Sequence, residues 1–179
     1  MNSLDMAILR FIGEHLQNGF LDVLMPLITA LGEFAIIWIA SAAVMLFFKK
    51  TRLCGCAVLA ALLIGVVLSE VILKNVFVRP RPFDVVEGLR LLITPPPSGS
   101  FPSGHTTSSF AAAFIVLFFH GRIKWMSIPA FALAAVMAFS RLYLNVHFFT
   151  DILAGVAIGL LTAVVTYEIF RLIPKLRSS

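Results

Sequence analysis

LCGCAVLAALLIGVVLSEVIL, residues 53–73, runs directly into Lys74-Asn75-Val76-Phe77-Val78-Arg79-Pro80-Arg81-Pro82. The first stretch carries a single charged residue, Glu70. It matches the ~20 apolar residues that a helix needs to cross the hydrocarbon core of a bilayer. The second places three cations and two prolines where that helix would leave the membrane. This junction decides the fold class, an all-α polytopic membrane helix bundle, because lipid offers no partner to an unbonded backbone.

Composition agrees along the whole chain. Of 179 residues, 60% are hydrophobic and 13% charged, and the mean hydropathy is +0.99. A soluble domain of this size could not hide so much apolar surface. Further spanning runs lie at about 33–48, 104–119, 125–140 and 150–170, which gives five crossings. Residues 20–31 are apolar but short, and joining the first helix, with a bend near Pro26 or Gly32, would make a sixth. About six helices are expected in one domain, 1–179. Leu4, Ile8, Phe11, Ile12 and Leu16 recur at helical spacing among Asp5, Arg10, Glu14 and Gln17, so residues 1–19 read as an interfacial amphipathic helix rather than a cleavable signal. The net charge of +5 is not gathered into a basic face, so nucleic acid is not an expected partner. Cys54 and Cys56 have no further ligand residue at metal-binding spacing and read as small packing residues.

Two other polar clusters end apolar runs in the same way: Pro102-Ser103-Gly104-His105, and Ser140-Arg141 followed by His147 and Asp151. Cleaving a phosphate ester takes positive charge around the non-bridging oxygens, an in-line nucleophile and an acid at the leaving oxygen. Lys74, Arg81 and Arg141 supply the charge. His147 and Asp151, four apart, share a helix face, so the carboxylate can fix the imidazole tautomer and leave the other nitrogen nucleophilic. Ser103 reads as an N-cap opening an anion-binding helix start, Gly104 lets the backbone come close to a phosphate, and His105 is an acid or base for the leaving oxygen. Gly155, Gly159 and Ala163 continue the Asp151 face as a ladder of small residues for close helix packing. Arg79 is either a further phosphate contact or an interfacial anchor, the anchor being favoured. Glu70, one turn before Lys74, either holds the ammonium or neutralises it. Asp84 and Glu87 stand isolated, and no carboxylate and histidine cluster offers a metal site, so a metal-free covalent mechanism without cofactor is expected.

Charge also sets an orientation. Lys49, Lys50 and Arg52, then Arg122 and Lys124, then Arg171, Lys175 and Arg177 mark the cytoplasmic side. The three motifs then face outward. The proline-rich segment 80–103 is expected to be a stiff, non-helical extracytoplasmic loop, either a wall over the site or a plain connector in its middle part.

Taken together, the lysine, six residues, Arg-Pro; the Pro-Ser-Gly-His; and the Ser-Arg, five residues, His, three residues, Asp resemble the tripartite signature of the type-2 phosphatidate phosphatase superfamily. All signature positions are filled, and the region from about residue 53 onward is similar in layout to the integral-membrane branch. The resemblance implies that His147 attacks phosphorus, Asp151 supports it and His105 protonates the leaving group. It also implies that Lys74, Arg81, Ser103, Gly104 and Arg141 hold the phosphate. The implied activity is hydrolysis of a monoester or diphosphate of a membrane lipid at the outer face of a bacterial plasma membrane. That sidedness favours undecaprenyl diphosphate over phosphatidylglycerol phosphate, phosphatidate or diacylglycerol pyrophosphate. A vanadate haloperoxidase fits the motifs but not the apolar chain, and a non-catalytic lipid-binding protein would have no use for both histidines. Oligomeric state is not legible.

Overall fold

The protein, described here from a computed structural model, is defined over residues 2–172, excluding the side chains of 120–124. It is all-α, with no strand among the described residues. Seven helices form the body: α1 (Ser3–His15), α2 (Gly19–Gly32), α3 (Ile36–Phe47), α4 (Arg52–Val76), α5 (Gly104–Phe118), α6 (His120–Tyr143) and α7 (Phe149–Leu172). Among the described residues, four helical stretches are long and apolar enough to cross a membrane: Gly19–Phe47, Arg52–Val76, Trp125–Tyr143 and Phe149–Leu172. The fifth expected crossing, α5, has only 15 residues, about 22 Å at 1.5 Å per residue.

Local chemistry explains the boundaries. Asn2 caps α1, its Oδ1 accepting from Leu4 N at 3.2 Å, and Asn18 caps α2, accepting from Leu21 N at 3.0 Å. That second cap starts a new helix after Leu16, so residues 20–31 do not join the first helix, an arrangement the sequence left open. They join α3 instead, across a break at 33–35 where Phe34 and Ala35 take positive φ of 50° and 56°. Such a conformation is costly for non-glycine residues, and here it turns the chain beside the site. Residues 121–124, expected as a loop, are the opening of α6. The side chains of Arg122 and Lys124, together with Lys175 and Arg177, lie outside the described residues.

The most enclosed helix is α5, which packs against α4, α6 and α7. Thr106, Thr107, Ser109 and Ala111, Ala112 and Ala113 are buried in it. The small ladder of α7 works as expected. A Cβ on Gly155 would come within 2.9 Å of Ser103 O, and one on Gly159 within 2.9 Å of Thr107 O. Trp38 Nε1 donates to Ser109 Oγ at 2.9 Å, tying α3 to this core. Outward-facing Phe20, Leu27, Phe47, Ile128 and Leu172 form an apolar exterior suited to acyl chains.

The first helix turns a mixed face toward the protein. Leu4 and Phe11, two of the five apolar residues that defined the expected face, are exposed, whereas Asp5, Leu9 and Ile12 are buried. The face turned toward the protein therefore carries a carboxylate.

Candidate active site

One cavity of about 640 Å³ opens among α2, α4, α5, α6 and the loop before α5. Lys74, Arg81, Gly104, His105, Arg141 and His147 all line it. Six of the eight residues singled out from the sequence thus meet on one space. The other two stand behind it. Asp151 lies under His147, and Ser103 is fully buried, its Oγ capping α5 by accepting the Thr106 N–H at 3.4 Å and also accepting the Thr106 hydroxyl at 2.9 Å.

Each cation is fixed by its own element. Arg81 starts a single helical turn, Pro82–Val85, so the expected non-helical loop contains one turn and Asp84 is not isolated: it accepts the Arg81 N–H at 3.0 Å. The Arg81 guanidinium donates to the carbonyls of Ser98 (2.8 Å), Gly99 (3.2 Å) and Val146 (2.8 Å). A planar fork held by three backbone oxygens has little freedom, which is the property that recognition of phosphate oxygens requires. Residues 96–98 of the loop line the cavity, so this part of the segment is a wall. Lys74 lies in the last turn of α4, just beyond a π-helical stretch, Val67–Leu73, and donates to Glu70 (2.8 Å) and Ser98 Oγ (3.2 Å). Glu70 therefore holds the ammonium. Arg141 is buried, donates through Nη1 to Thr29 Oγ1, and its Nε has no partner among the described residues. A buried donor left unpaired at a cavity wall is suited to an incoming anion.

The two histidines face the cavity from different helices. Asn145, at φ 58°, reverses the chain between α6 and α7 and brings His147 to the wall, where Arg81 Nη1 lies 3.4 Å from Nε2. Asp151 occupies the third position of α7. Its Oδ2 takes the Phe148 N–H at 2.8 Å, half of a capping box, and lies 3.5 Å from His147 Nδ1. That separation is longer than a full hydrogen bond, and catalytic contacts of this kind tighten once substrate is bound. Burial, then the charges of Arg141, Arg81 and Lys74, push the His147 pKa well below its ordinary value, so the imidazole is neutral near pH 7 and keeps a lone pair. His105 Nε2 lies 3.3 Å from Thr29 O. Gly32 makes room for it, since a Cβ there would stand 2.6 Å from the His105 ring.

Three residues were missed or misread in the sequence. Thr29 anchors both Arg141 and His105. Arg79 is neither phosphate contact nor anchor: it bridges Asp151 (2.6 Å) and Asp5 (2.8 Å) with its guanidinium over the Phe148 ring. Asp5 carried one signal, a carboxylate in register with Leu9 and Ile12.

The arrangement provides fixed positive charge, a neutral oriented imidazole and a second imidazole around one space, the parts of a covalent phosphoryl transfer. Known proteins point the same way. The family described as the PAP2 superfamily matches residues 53–174. An undecaprenyl-diphosphatase of Sulfolobus acidocaldarius is 34% identical over 143 residues, covering 80% of this chain and 68% of that one. Among solved structures, Aquifex aeolicus LpxE superposes with a TM-score of 0.81 at 26% identity, covering 93% of this chain and 96% of the other. A PAP2 type phosphatidylglycerolphosphate phosphatase from Bacillus subtilis gives a TM-score of 0.76 at 30% identity, covering 97% and 87%.

Proposed function

The chain belongs to the PAP2 superfamily and is a multi-pass membrane lipid phosphatase, and from that premise we propose that it releases phosphate through a phosphohistidine at His147. The observation that carries this reading is the meeting of Lys74, Arg81, Arg141 and both histidines on one cavity, with Asp151 behind His147. The lone pair of His147 Nε2 forms a bond to phosphorus as the P–O bond to the lipid breaks. His105 delivers a proton to the leaving oxygen. Water then attacks phosphorus, its proton passes to His105, the P–N bond breaks and inorganic phosphate leaves. Lys74, Arg81 and Arg141 stabilise the charge on the non-bridging oxygens in both steps.

For substrate, the reading is undecaprenyl diphosphate, supported by similarity to the Sulfolobus acidocaldarius enzyme. Phosphatidylglycerol phosphate is the second reading, favoured by the Bacillus subtilis structure. Phosphate release in detergent from these two, phosphatidate and diacylglycerol pyrophosphate decides between them. The highest kcat/KM is expected for undecaprenyl diphosphate, and a higher value on phosphatidylglycerol phosphate would replace it.

Fixed cations occupy the role that a metal ion plays in other phosphatases. Turnover is therefore expected to survive millimolar EDTA and to be inhibited by vanadate as a five-coordinate mimic. Activity lost on chelation and regained with Mg²⁺ would end the metal-free mechanism.

We place the site on the extracytoplasmic side of a bacterial plasma membrane, with α5 counted as a crossing beside the four longer stretches. In a background lacking Cys54 and Cys56, Glu87→Cys should react with an impermeant thiol reagent in intact cells, and Lys50→Cys only after permeabilisation. The reverse pattern would invert the orientation and remove the sidedness argument for the substrate.

A further inference from the structure

Asp5 lies fully buried near the start of the chain, yet it belongs to the same bonded cluster as Asp151. Its Oδ1 accepts the Thr150 N–H at 2.9 Å, and its Oδ2 accepts from Thr150 Oγ1 at 2.8 Å and Arg79 Nη2 at 2.8 Å. Arg79 Nη1 donates to Thr150 Oγ1 at 2.7 Å and to Asp151 Oδ1 at 2.6 Å. The Phe148 ring, 4.3 Å from the guanidinium carbon, closes the far side.

Two consequences follow from this geometry. The first is orientation. An aspartate carboxylate turns readily about its last torsion, but here Arg79 holds one oxygen and the Phe148 N–H the other. The plane facing His147 Nδ1 is thereby set. The second is charge. Arg79 with Asp151 alone would be a neutral pair, whereas one guanidinium between two carboxylates leaves one net negative charge beside the imidazole. That charge matters because Lys74, Arg81 and Arg141 all oppose the cationic imidazole that forms when Nε2 bonds to phosphorus. Burial raises the pKa of Asp5, but the Thr150 and Arg79 hydrogen bonds outweigh it and hold the group below the usual carboxyl range, so it enters as the anion.

We infer that Asp5 is a positioning residue for phosphoryl transfer: through Arg79 it orients Asp151 and leaves that carboxylate free to support His147. The inference rests on the reading of His147 as nucleophile. It gives the first helix a part in catalysis rather than in membrane attachment alone.

The test uses the full chain in detergent, with Asp5→Asn, Asp5→Glu, Thr150→Val and His147→Ala. Asp5→Asn should lower kcat about 10- to 100-fold, the range for loss of an orienting hydrogen-bond partner. KM and the vanadate inhibition constant should stay within about twofold, because no cavity-lining residue changes. Asp5→Glu should restore most of the rate. In ¹⁵N-histidine spectra, the His147 Nδ1 signal should move in Asp5→Asn. A folded Asp5→Asn protein with wild-type kcat and an unmoved signal overturns the inference. Should Asp5→Asn fail to fold, Thr150→Val, which removes the hydroxyl bridging Asp5 and Arg79, must lower kcat several-fold at unchanged KM, and wild-type kcat there overturns it equally. The reading beneath is checked separately. If His147→Ala still forms a phosphoenzyme, the nucleophile assignment falls and this inference falls with it; if it forms none while Asp5→Asn turns over normally, only the inference falls.

Discussion

His147→Ala is expected to abolish turnover, by roughly 10⁴-fold or more, and to leave no covalent phosphoenzyme. The size follows from the absence of a substitute. The other cavity-lining side chains are cations, the carboxylates Glu33 and Glu70, the latter pairing Lys74, hydroxyls and apolar groups, and the remaining imidazole, His105, reaches the space from a different helix. Removing the ring also empties the place where Nε2 meets the phosphorus while Arg81, Lys74 and Arg141 stay, so phosphate and vanadate should still bind. The measurement is trapping with ³²P-labelled substrate, reading the acid-labile, base-stable adduct of a phosphohistidine. A full-strength adduct in the variant would move the nucleophile to His105. The low pKa adds a second reading. Because burial and three neighbouring cations keep His147 neutral, adduct formation on p-nitrophenyl phosphate should persist below pH 6.5, where an ordinary imidazole would be mostly protonated.

His105→Ala should give the second largest effect, and its size should depend on the leaving group. A lipid alkoxide is a poor leaving group without a proton, and general acid catalysis contributes about 10²- to 10⁴-fold. Turnover of a lipid monophosphate should fall by that range. p-Nitrophenolate, and the lipid phosphate released from a diphosphate, depart without protonation, so those substrates should lose about tenfold or less. Equal losses on every substrate would assign His105 to phosphate binding instead. The comparison needs no knowledge of the physiological lipid.

The three motifs were legible because their chemistry is local. His147 and Asp151 are four residues apart, although His147 lies in the turn before the helix and not on its face, Lys74 and Arg81 flank a proline-stiffened exit, and Ser103 caps the helix it precedes. Spacing alone places such groups, and the cavity gathers six of the eight. The contacts that were not legible run across the chain: Arg79 to Asp5 over 74 residues, His105 to Thr29 over 76, Arg141 to Thr29 over 112. No periodicity marks a partner at that distance. The buried side of the first helix was not legible for a different reason. In water an apolar stripe points inward, but in lipid both sides of a helix meet apolar surroundings, so Leu4 and Phe11 can face out while Asp5 turns in. The break at 33–35 follows Gly32, one of the two places where a bend was expected, but its left-handed form was hidden, because Phe34 and Ala35 are ordinary apolar residues.

The site's dependence on residues from Asp5 to Asp151 also orders events during synthesis. The ribosome delivers the chain from its first residue, so Thr29, Lys74, Arg81 and His105 emerge before the turn at Asn145 and the helix that follows it. On the mechanism proposed above, a nascent chain halted short of Asp151 would carry most of the phosphate cradle without an oriented nucleophile. It could hold a headgroup but not cleave it. The helix that starts at Phe149, delivered after the rest of the cradle, is the one that arms it.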